Sequence, residues 1–199
     1  MIILFMKNLT IILMLLYNFV ALAQKDVADI NAFIGIPALI TNESEIRIYK
    51  DYGITNRTDL FRMYKDPYGK WNAELYQYGY AVGNVRESFS KRELTAIHDT
   101  EFVWCSIMLS NIDLLPEMKA FMYKLERNCV IYNEGEFAIS STRSIISDGT
   151  SYEVFTKINH INYFNPETYL KIFPGVDELE SFCNMLKFIR EEFNIWEER

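Results

Sequence analysis

Alternating apolar and polar residues between positions 45 and 80 predict a run of antiparallel strands. In the segment EIRIYK, Ile46 and Ile48 alternate with Arg47 and Tyr49. A period of two places successive side chains on opposite faces, so residues 45–50 are predicted to form a half-buried strand. The segment FRMYKDPYGKWNAELYQYGY continues the pattern on both sides of a turn.

The turn is Asp66-Pro67-Tyr68-Gly69, and its loop length decides which residues face each other. A two-residue loop would set Lys65 against Lys70, which places like charges together. A three-residue loop with Gly69 in the left-handed conformation avoids this repulsion. A one-residue slip moves every side chain to the other face, so parity favours the three-residue loop. It pairs Phe61 with Leu75, Met63 with Ala73, Arg62 with Glu74 and Tyr64 with Asn72.

This register sorts the residues of the strands into two faces. Trp71 is expected on the core face with Phe61, Met63 and Leu75. The opposite face is expected to carry Arg47, Tyr49, Arg62, Tyr64, Glu74, Tyr76 and Tyr78. Two interpretations of that second face stay open. It is the solvated side of an antiparallel sheet, or it is a platform of rings and guanidinium groups that binds a glycan or a partner protein.

Helical spacing is clearest near the C-terminus. Apolar residues recur there every three or four positions at Leu179, Phe182, Leu186, Ile189, Phe193 and Trp196. This stripe predicts an amphipathic helix that packs on the sheet, with Asp177 as its N-cap and Glu180 completing a capping box. A short helix is predicted over residues 26–34, ended by Pro37. Ser90-x-x-Glu93 also matches a capping box and predicts a short helix over 90–98.

The middle of the chain is harder to assign. Residues 100–127 fit a helix or a strand, and a helix from Thr100 to Asn111 is preferred for the first part. Asp148-Gly149 predicts a hairpin within residues 144–155. Asn165-Pro166 indicates a turn.

Together these elements predict an α+β fold: one or more antiparallel meander sheets packed by an amphipathic C-terminal helix. No linker rich in Pro, Gly or Ser divides residues 24–199, so a single α+β domain is expected there.

Residues 1–23 have the pattern of a signal peptide. Lys7 precedes an apolar run, and Ala21-Leu22-Ala23 has the small-x-small pattern that signal peptidase cuts. The alternative is a retained membrane anchor, but the run is short for a spanning helix. Cleavage would leave Gln24 first, and translation could start at Met1 or at Met6. The sequence thus predicts an exported protein, periplasmic or extracellular, with no membrane span after cleavage.

Charge narrows the range of partners. The chain has 20 basic and 27 acidic residues, a formal net charge of −7. Binding to phosphate backbones requires clustered Lys and Arg, so nucleic acid is excluded as a partner.

Candidate catalytic chemistry is sparse. Cys105, Cys129 and Cys183 are widely spaced, so buried thiols are preferred over a disulfide with one spare cysteine, although the sequence leaves that pairing open. His98 and Cys105 lie about 10 Å apart on a helix, too far for a nucleophile–base pair. Two isolated histidines do not make a zinc site, and no motif implies a cofactor. Carboxylate pairs cannot be singled out by spacing.

The motifs SNIDLLP, DGTSYEV, FNPETYLKIFP and FNIW, between residues 100 and 196, resemble a set of uncharacterised exported proteins of Bacteroidetes-type bacteria. The resemblance implies export and carries no catalytic residue. The preferred hypothesis is an exported non-catalytic protein that binds a partner protein or a glycan. The alternative is an exported hydrolase with carboxylate or Cys/His chemistry.

Overall fold

A computed structural model describes residues 26–53, 55–133, 135–143, 146 and 148–196. The signal peptide predicted over residues 1–23 lies outside these residues. Two compact units divide the chain, Met1–Ala38 and Leu39–Arg199. The expectation of a single domain over 24–199 therefore stays a prediction.

The first unit contains helix α1, Val27–Ile34. The Asp26 side chain accepts a hydrogen bond from the amide of Ala28, and Gly35 ends the helix in the left-handed conformation. The short helix predicted over residues 26–34 is confirmed.

The second unit is built on a six-stranded antiparallel sheet in the order β4-β3-β2-β1-β7-β8. Its strands are β1 Glu45–Asp51, β2 Arg57–Lys65, β3 Trp71–Gly79, β4 Ser88–Glu93, β7 Ser151–Phe155 and β8 His160–Phe164. Strands β5 Glu126–Asn133 and β6 Glu136–Arg143 form a separate two-stranded ribbon. The helices are α2 Thr100–Met108, the 3₁₀ helix Met118–Leu125, α3 Pro166–Ile172 and α4 Asp177–Phe193. The predicted α+β class, an antiparallel sheet with a C-terminal helix, is confirmed.

The predicted register of β2 and β3 is also confirmed. Phe61 pairs with Leu75 and Arg62 with Glu74. The amide of Asp66 donates to the carbonyl of Lys70 at 2.9 Å, and Gly69 has φ +84°, as a three-residue loop requires. Phe61, Met63 and Leu75 are buried in the core. Trp71 lies on the same face but is half-buried at its edge, with its ring 5.2 Å from that of Trp104.

Helix α4 covers this core face of the sheet. Its buried residues include Leu179, Phe182, Leu186 and Ile189, as the apolar stripe predicts. The helix begins at Asp177 with Val176 as its N-cap, so the predicted N-cap is one residue off. The Glu180 side chain still accepts from the amide of Gly175 at 3.1 Å, which satisfies a donor that precedes the helix.

Two predicted elements are wrong. The capping-box segment that begins at Ser90 lies in strand β4, where Ser90 pairs with Gln77. The open edge of β3 offers a full row of backbone hydrogen bonds there, and this outweighs a local capping signal. The predicted hairpin around Asp148-Gly149 is not formed by β7, because β1 and β8 occupy both edges of that strand. Residues 144, 145 and 147 lie outside the described part.

The helix preferred for the segment that begins at Thr100 is present, and the chain turns at Asn165-Pro166 as predicted. Residues 100–108 form helix α2, whose N-cap Asp99 accepts hydrogen bonds from the amides of Glu101 and Phe102. Asn165 caps α3 with φ +47°, and Pro166 is the first helical residue. Among the described residues, no helix is both long and apolar enough to cross a membrane.

Candidate functional site

The residues predicted to form a binding platform lie together on the sheet face opposite α4. Strands β1, β2 and β3 bring them side by side: Arg47 pairs with Arg62, and Arg62 pairs with Glu74. The same parity places Tyr49, Tyr64, Tyr76 and Tyr78 on this face. The assignment of residues to faces is therefore confirmed.

The expectation that this face is solvated is wrong. Tyr49, Tyr76 and Tyr78 are 3%, 5% and 1% exposed, and Arg47 is 1% exposed. Part of the cover comes from the segment before β1. Arg47 Nη2 donates to the carbonyl of Leu39 at 3.3 Å, and Asn42 Nδ2 donates to Glu45 Oε2 at 2.6 Å. Alternation along a strand fixes the direction of a side chain but not what covers it.

An ion cluster at the centre of this face accounts for its polar residues. Glu45 Oε1 accepts hydrogen bonds from Arg47 Nε at 2.7 Å and from Arg62 Nε at 2.8 Å. Glu74 accepts from Tyr76 at 2.8 Å and pairs with Lys91 Nζ at 2.7 Å. Burial raises the pKa of Glu45, but hydrogen bonds and charge from Arg62 and Arg47 outweigh it and leave the pKa below its usual value. Both carboxylates of the cluster thus have cationic partners within it.

Tyr64 is the least buried of the predicted platform residues. The Arg62 guanidinium lies 4.0 Å from its ring centre, and its hydroxyl donates to Glu74 at 3.3 Å. Arg47, Arg62, Glu74 and Tyr76 are engaged with each other or with Glu45, so their geometry serves the fold. A binding role for the set Arg47, Tyr49, Arg62, Tyr64, Glu74, Tyr76 and Tyr78 stays a prediction.

A cleft of about 570 Å³ lies on the other face of the sheet, beyond the C-terminal end of α4. It is lined by Tyr52, Thr55, Arg57, Asp59, Leu75, Gln77, Arg92, Asn194, Ile195 and Trp196. The strands β2, β3 and β4 supply its floor, and the turn after β1 and the segment after α4 supply its walls. Most of these side chains are polar, aromatic or charged, which suits a hydrophilic ligand.

The segment after α4 is shaped to bring Trp196 onto this cleft. Asn194 ends the helix with φ +50°, and Trp196 itself has φ +54°. A left-handed backbone is rare for a bulky residue and costs on the order of 1–3 kcal/mol. Packing holds it there: the Trp196 ring lies 6.2 Å from that of Phe61 and 6.3 Å from that of Tyr152.

Asp59, the one carboxylate among the lining residues, already has partners. Arg57 Nε and Nη2 donate to its two oxygens at 2.7 and 2.8 Å, and the Tyr52 hydroxyl donates to Oδ2 at 2.8 Å. This bidentate pair neutralises the charge of Arg57 and fixes the Tyr52 ring as one wall.

Two cations near the cleft have no carboxylate partner among the described residues. Arg92 lines it and makes no ion pair with any residue of the described part. Lys50 stands behind the aromatic walls, with its ammonium 4.8 Å from the ring centre of Tyr52 and 5.5 Å from that of Trp196. Although Lys50 is only 8% exposed, no carboxylate of the described residues lies within ion-pair distance. Burial, mainly, lowers the pKa of Lys50 to about 8.

The cysteines and histidines considered as candidate catalytic groups do not line the cleft. Cys105 and Cys129 are exposed, Cys183 is half-buried, and all three are free thiols, so the preferred reading of buried thiols is wrong for the first two. His98 Nδ1 lies 2.8 Å from Glu192, and His160 Nε2 lies 2.7 Å from Glu153. Within the described ranges, no group of three or more His, Cys, Asp or Glu could hold a metal ion.

Comparison with protein families, curated proteins and solved structures gives no match to this chain. Sequence reasoning missed the cleft, because its residues come from segments far apart in the chain. Lys50 carried the only local signal. Lys50 lies on the same face of β1 as Ile46 and Ile48, where a charged residue breaks the apolar pattern.

Proposed function

We propose that this protein is exported and binds an acidic sugar in the cleft, without catalysis. The observation that carries the proposal is the pair of cations, Lys50 and Arg92, that lacks acidic partners in the described structure beside a cleft with aromatic walls. The chain as a whole carries a net charge of −7. Two cations without an ion pair among the described residues, beside one cleft of such a chain, favour a negatively charged ligand.

The arginine favours a carboxylate as the charged group of the ligand. A guanidinium offers planar paired donors that match a carboxylate in a bidentate contact. Arg57 already directs Nε and Nη2 at Asp59. Arg92 makes no ion pair with the described residues, so we assign the contact with the ligand to Arg92.

The remaining lining residues favour a sugar as the body of the ligand. Tyr52 and Trp196 supply flat rings with both an apolar face and a polar edge. Thr55, Gln77 and Asn194 supply hydroxyl and amide groups that can pair with sugar hydroxyls. The cleft volume lies within the range of about 300–1,000 Å³ that small-molecule sites occupy.

The hydrolase alternative has less support at this site. Glycoside hydrolysis uses two carboxyl groups on either side of the scissile bond. Among the lining residues, Asp59 is the one carboxylate, and it is held by Arg57 and Tyr52. Binding without turnover is the function that this arrangement supports best.

Isothermal titration calorimetry with galacturonic acid and galactose tests the proposal, since the two sugars differ in one carboxylate. Galacturonic acid is expected to bind more tightly. Arg92→Gln is expected to weaken its binding by about 10- to 100-fold, which corresponds to a charged hydrogen-bonded contact of roughly 1.5–3 kcal/mol. Galactose binding should change little.

Arg86→Gln is the matched control, because it removes the same charge from an exposed arginine that does not line the cleft. Equal affinities of the Arg92→Gln and Arg86→Gln variants would overturn the carboxylate contact. Failure of both sugars to bind would overturn the proposal itself. Its export component is tested by the mass of the exported protein, which should begin at Gln24.

A further inference from the structure

One face of the β5–β6 ribbon is apolar and exposed. Val130 and Tyr132 of β5 pair with Ile139 and Phe137 of β6, so all four side chains lie on one side of the ribbon. They are 70%, 66%, 79% and 78% exposed, in that order. Single exposed apolar residues are ordinary on a protein surface, whereas an adjacent group of large ones marks an interaction site. We call these four residues the ribbon face.

The ribbon face points away from the end of helix α3. Arg127 of β5 lies on the opposite side of the ribbon, because its position differs from that of Val130 by an odd number. Its Nη2 donates to the carbonyl of Ile172 at 3.2 Å, and its guanidinium lies 5.6 Å from the ring centre of Phe173. These contacts attach the opposite side of the ribbon to the protein and leave the ribbon face open to a partner.

We infer that the ribbon face is an interface between two copies of this chain. Two strands alone are marginally stable in water, and a sheet gains stability when a second layer covers its apolar face. A second ribbon supplies such a layer about 10 Å away, as in a β-sandwich. A second copy thus brings a layer of the same length and the same apolar character.

The register makes the ribbon face complementary to itself. A two-fold axis that lies between the ribbons and runs along the strands places β5 of one copy over β6 of the other at the same height. Tyr132 then faces Phe137 of the second copy, and Val130 faces Ile139 of the second copy. The rings of Tyr132 and Phe137 already lie 5.0 Å apart within one copy, so the dimer gathers four rings at one end of the interface.

The area of the ribbon face agrees with a weak, reversible dimer. At these exposures the four side chains offer roughly 500 Å² per copy, given the roughly 150–250 Å² that one aromatic side chain can bury. Two copies then bury roughly 1,000 Å², which is the lower limit for a specific interface. Stable dimers bury more, so we expect a dissociation constant on the order of 10–100 µM.

A lipid surface suits the ribbon face less well than a second copy. The segment NEGE at residues 133–136, next to the aromatic pair, carries two acidic residues and no basic one. Segments that dock on a bilayer use Lys and Arg to meet its anionic headgroups. The net charge of −7 also makes two copies repel each other, but salt screens that repulsion while an apolar interface remains.

Sedimentation velocity of the protein between about 1 and about 200 µM tests the inference. The weight-average sedimentation coefficient is expected to rise with concentration from that of a monomer to that of a dimer. Ile139→Asp should weaken the dimer at least about tenfold, because the two-fold axis places two unpaired carboxylates in the interface. Ile158→Asp is the matched control: Ile158 is 73% exposed between β7 and β8, and its substitution should leave the dissociation constant unaltered.

Hydrogen exchange of the unchanged protein locates the interface without a variant. Backbone amides of residues 126–143 should exchange more slowly at about 200 µM than at about 5 µM, because the second copy stabilises the ribbon. A monomer at every concentration, or equal dissociation constants for the two variants, would overturn the inference. Slower exchange only in other segments would overturn it too, because the dimer would then use another surface.

Salt distinguishes an apolar interface from an ionic one. Raising NaCl from about 50 mM to about 500 mM is expected to leave the dimer as strong or to strengthen it, because the screened repulsion is the term that opposes association. A dimer that dissociates at the higher salt concentration contradicts an interface made of the ribbon face.

Discussion

Glu45 is the residue that joins the two buried arginines on the sheet face opposite α4. One of its oxygens accepts from both Arg47 and Arg62, and its side chain has no exposed surface. A glutamine at this position keeps the shape but removes the charge. Two guanidinium groups would then remain buried without the carboxylate that they share.

We expect Glu45→Gln to lower the free energy of unfolding at pH 7 by about 3–5 kcal/mol, the cost of removing one member of a buried ion pair. Urea denaturation measures the change. Glu43→Gln is the matched control, because Glu43 is 87% exposed and pairs with Lys157 at the surface. Its effect should stay within about 0.5 kcal/mol. Similar losses for both variants would contradict a central role for Glu45.

The same comparison has a predicted pH dependence. The pKa of Glu45 is lowered in the folded protein. A carboxyl group whose pKa is lower in the folded than in the unfolded protein stabilises the fold at pH values above its unfolded pKa, near 4.3. This stabilisation disappears as the pH falls through the pKa of the folded protein. The difference between the parent protein and Glu45→Gln should therefore be constant above about pH 5 and shrink below pH 4.

At the residue scale, the sequence could predict on which face of the sheet a side chain lies, but not whether other residues cover that face. Alternation placed Tyr76 and Tyr78 on the face opposite α4, and the observed register agrees. Their burial could not be predicted, since it depends on residues that pack there from elsewhere in the chain. Lys50 is the converse case: parity directs it to the core side, and its aromatic neighbours come from three separate segments.

Helix α4 is the element whose sequence pattern and packing agree best. Leu186 lies at the middle of its apolar stripe and is fully buried. We expect Leu186→Ala to lower the free energy of unfolding by about 2–5 kcal/mol, because it leaves a cavity against the sheet. Lys187→Ala, one position along on the exposed side, should change it by less than about 0.5 kcal/mol. Thermal or urea unfolding distinguishes the two outcomes, and equal effects would show that the stripe is not a packing surface.

The elements that the sequence did not predict correctly are those that pair with a strand far away in the chain. The capping-box match at Ser90 is a local signal, but the edge of β3 recruits these residues as β4. Asp148-Gly149 is likewise a local turn signal, yet β7 pairs with β1 and β8. In both cases strand pairing across the sheet outweighs the preference of a short segment.

The β5–β6 ribbon stands apart from the other strands in its burial. Val130 pairs with Ile139 and Tyr132 with Phe137, which places these four side chains on one face, and all are exposed. Two strands alone are marginally stable in water. This ribbon is therefore the least protected of the strand pairs described.

On the scale of the whole molecule, the cleft depends on topology. Its lining comes from the turn after β1, from β2, β3 and β4, and from the residues that follow α4. No spacing rule connects Tyr52 with Trp196, so only the folded sheet and helix bring these rings together. The fold class could be predicted because periodicity is local, whereas the cleft could not, because its parts meet only in three dimensions.

The strand order also determines when the protein can fold during synthesis. Strand β1 is made early, but Arg47 must wait for Phe155 of β7, more than half the chain later. The core face stays uncovered until α4, Asp177–Phe193, is complete. We expect a chain that ends at Val176 to be digested rapidly by proteinase K and to lack a cooperative unfolding transition, and a protease-resistant truncated chain would contradict this. A nascent chain that cannot close its core before its last residues are made stays unfolded, which is the state that the export proposed above would require.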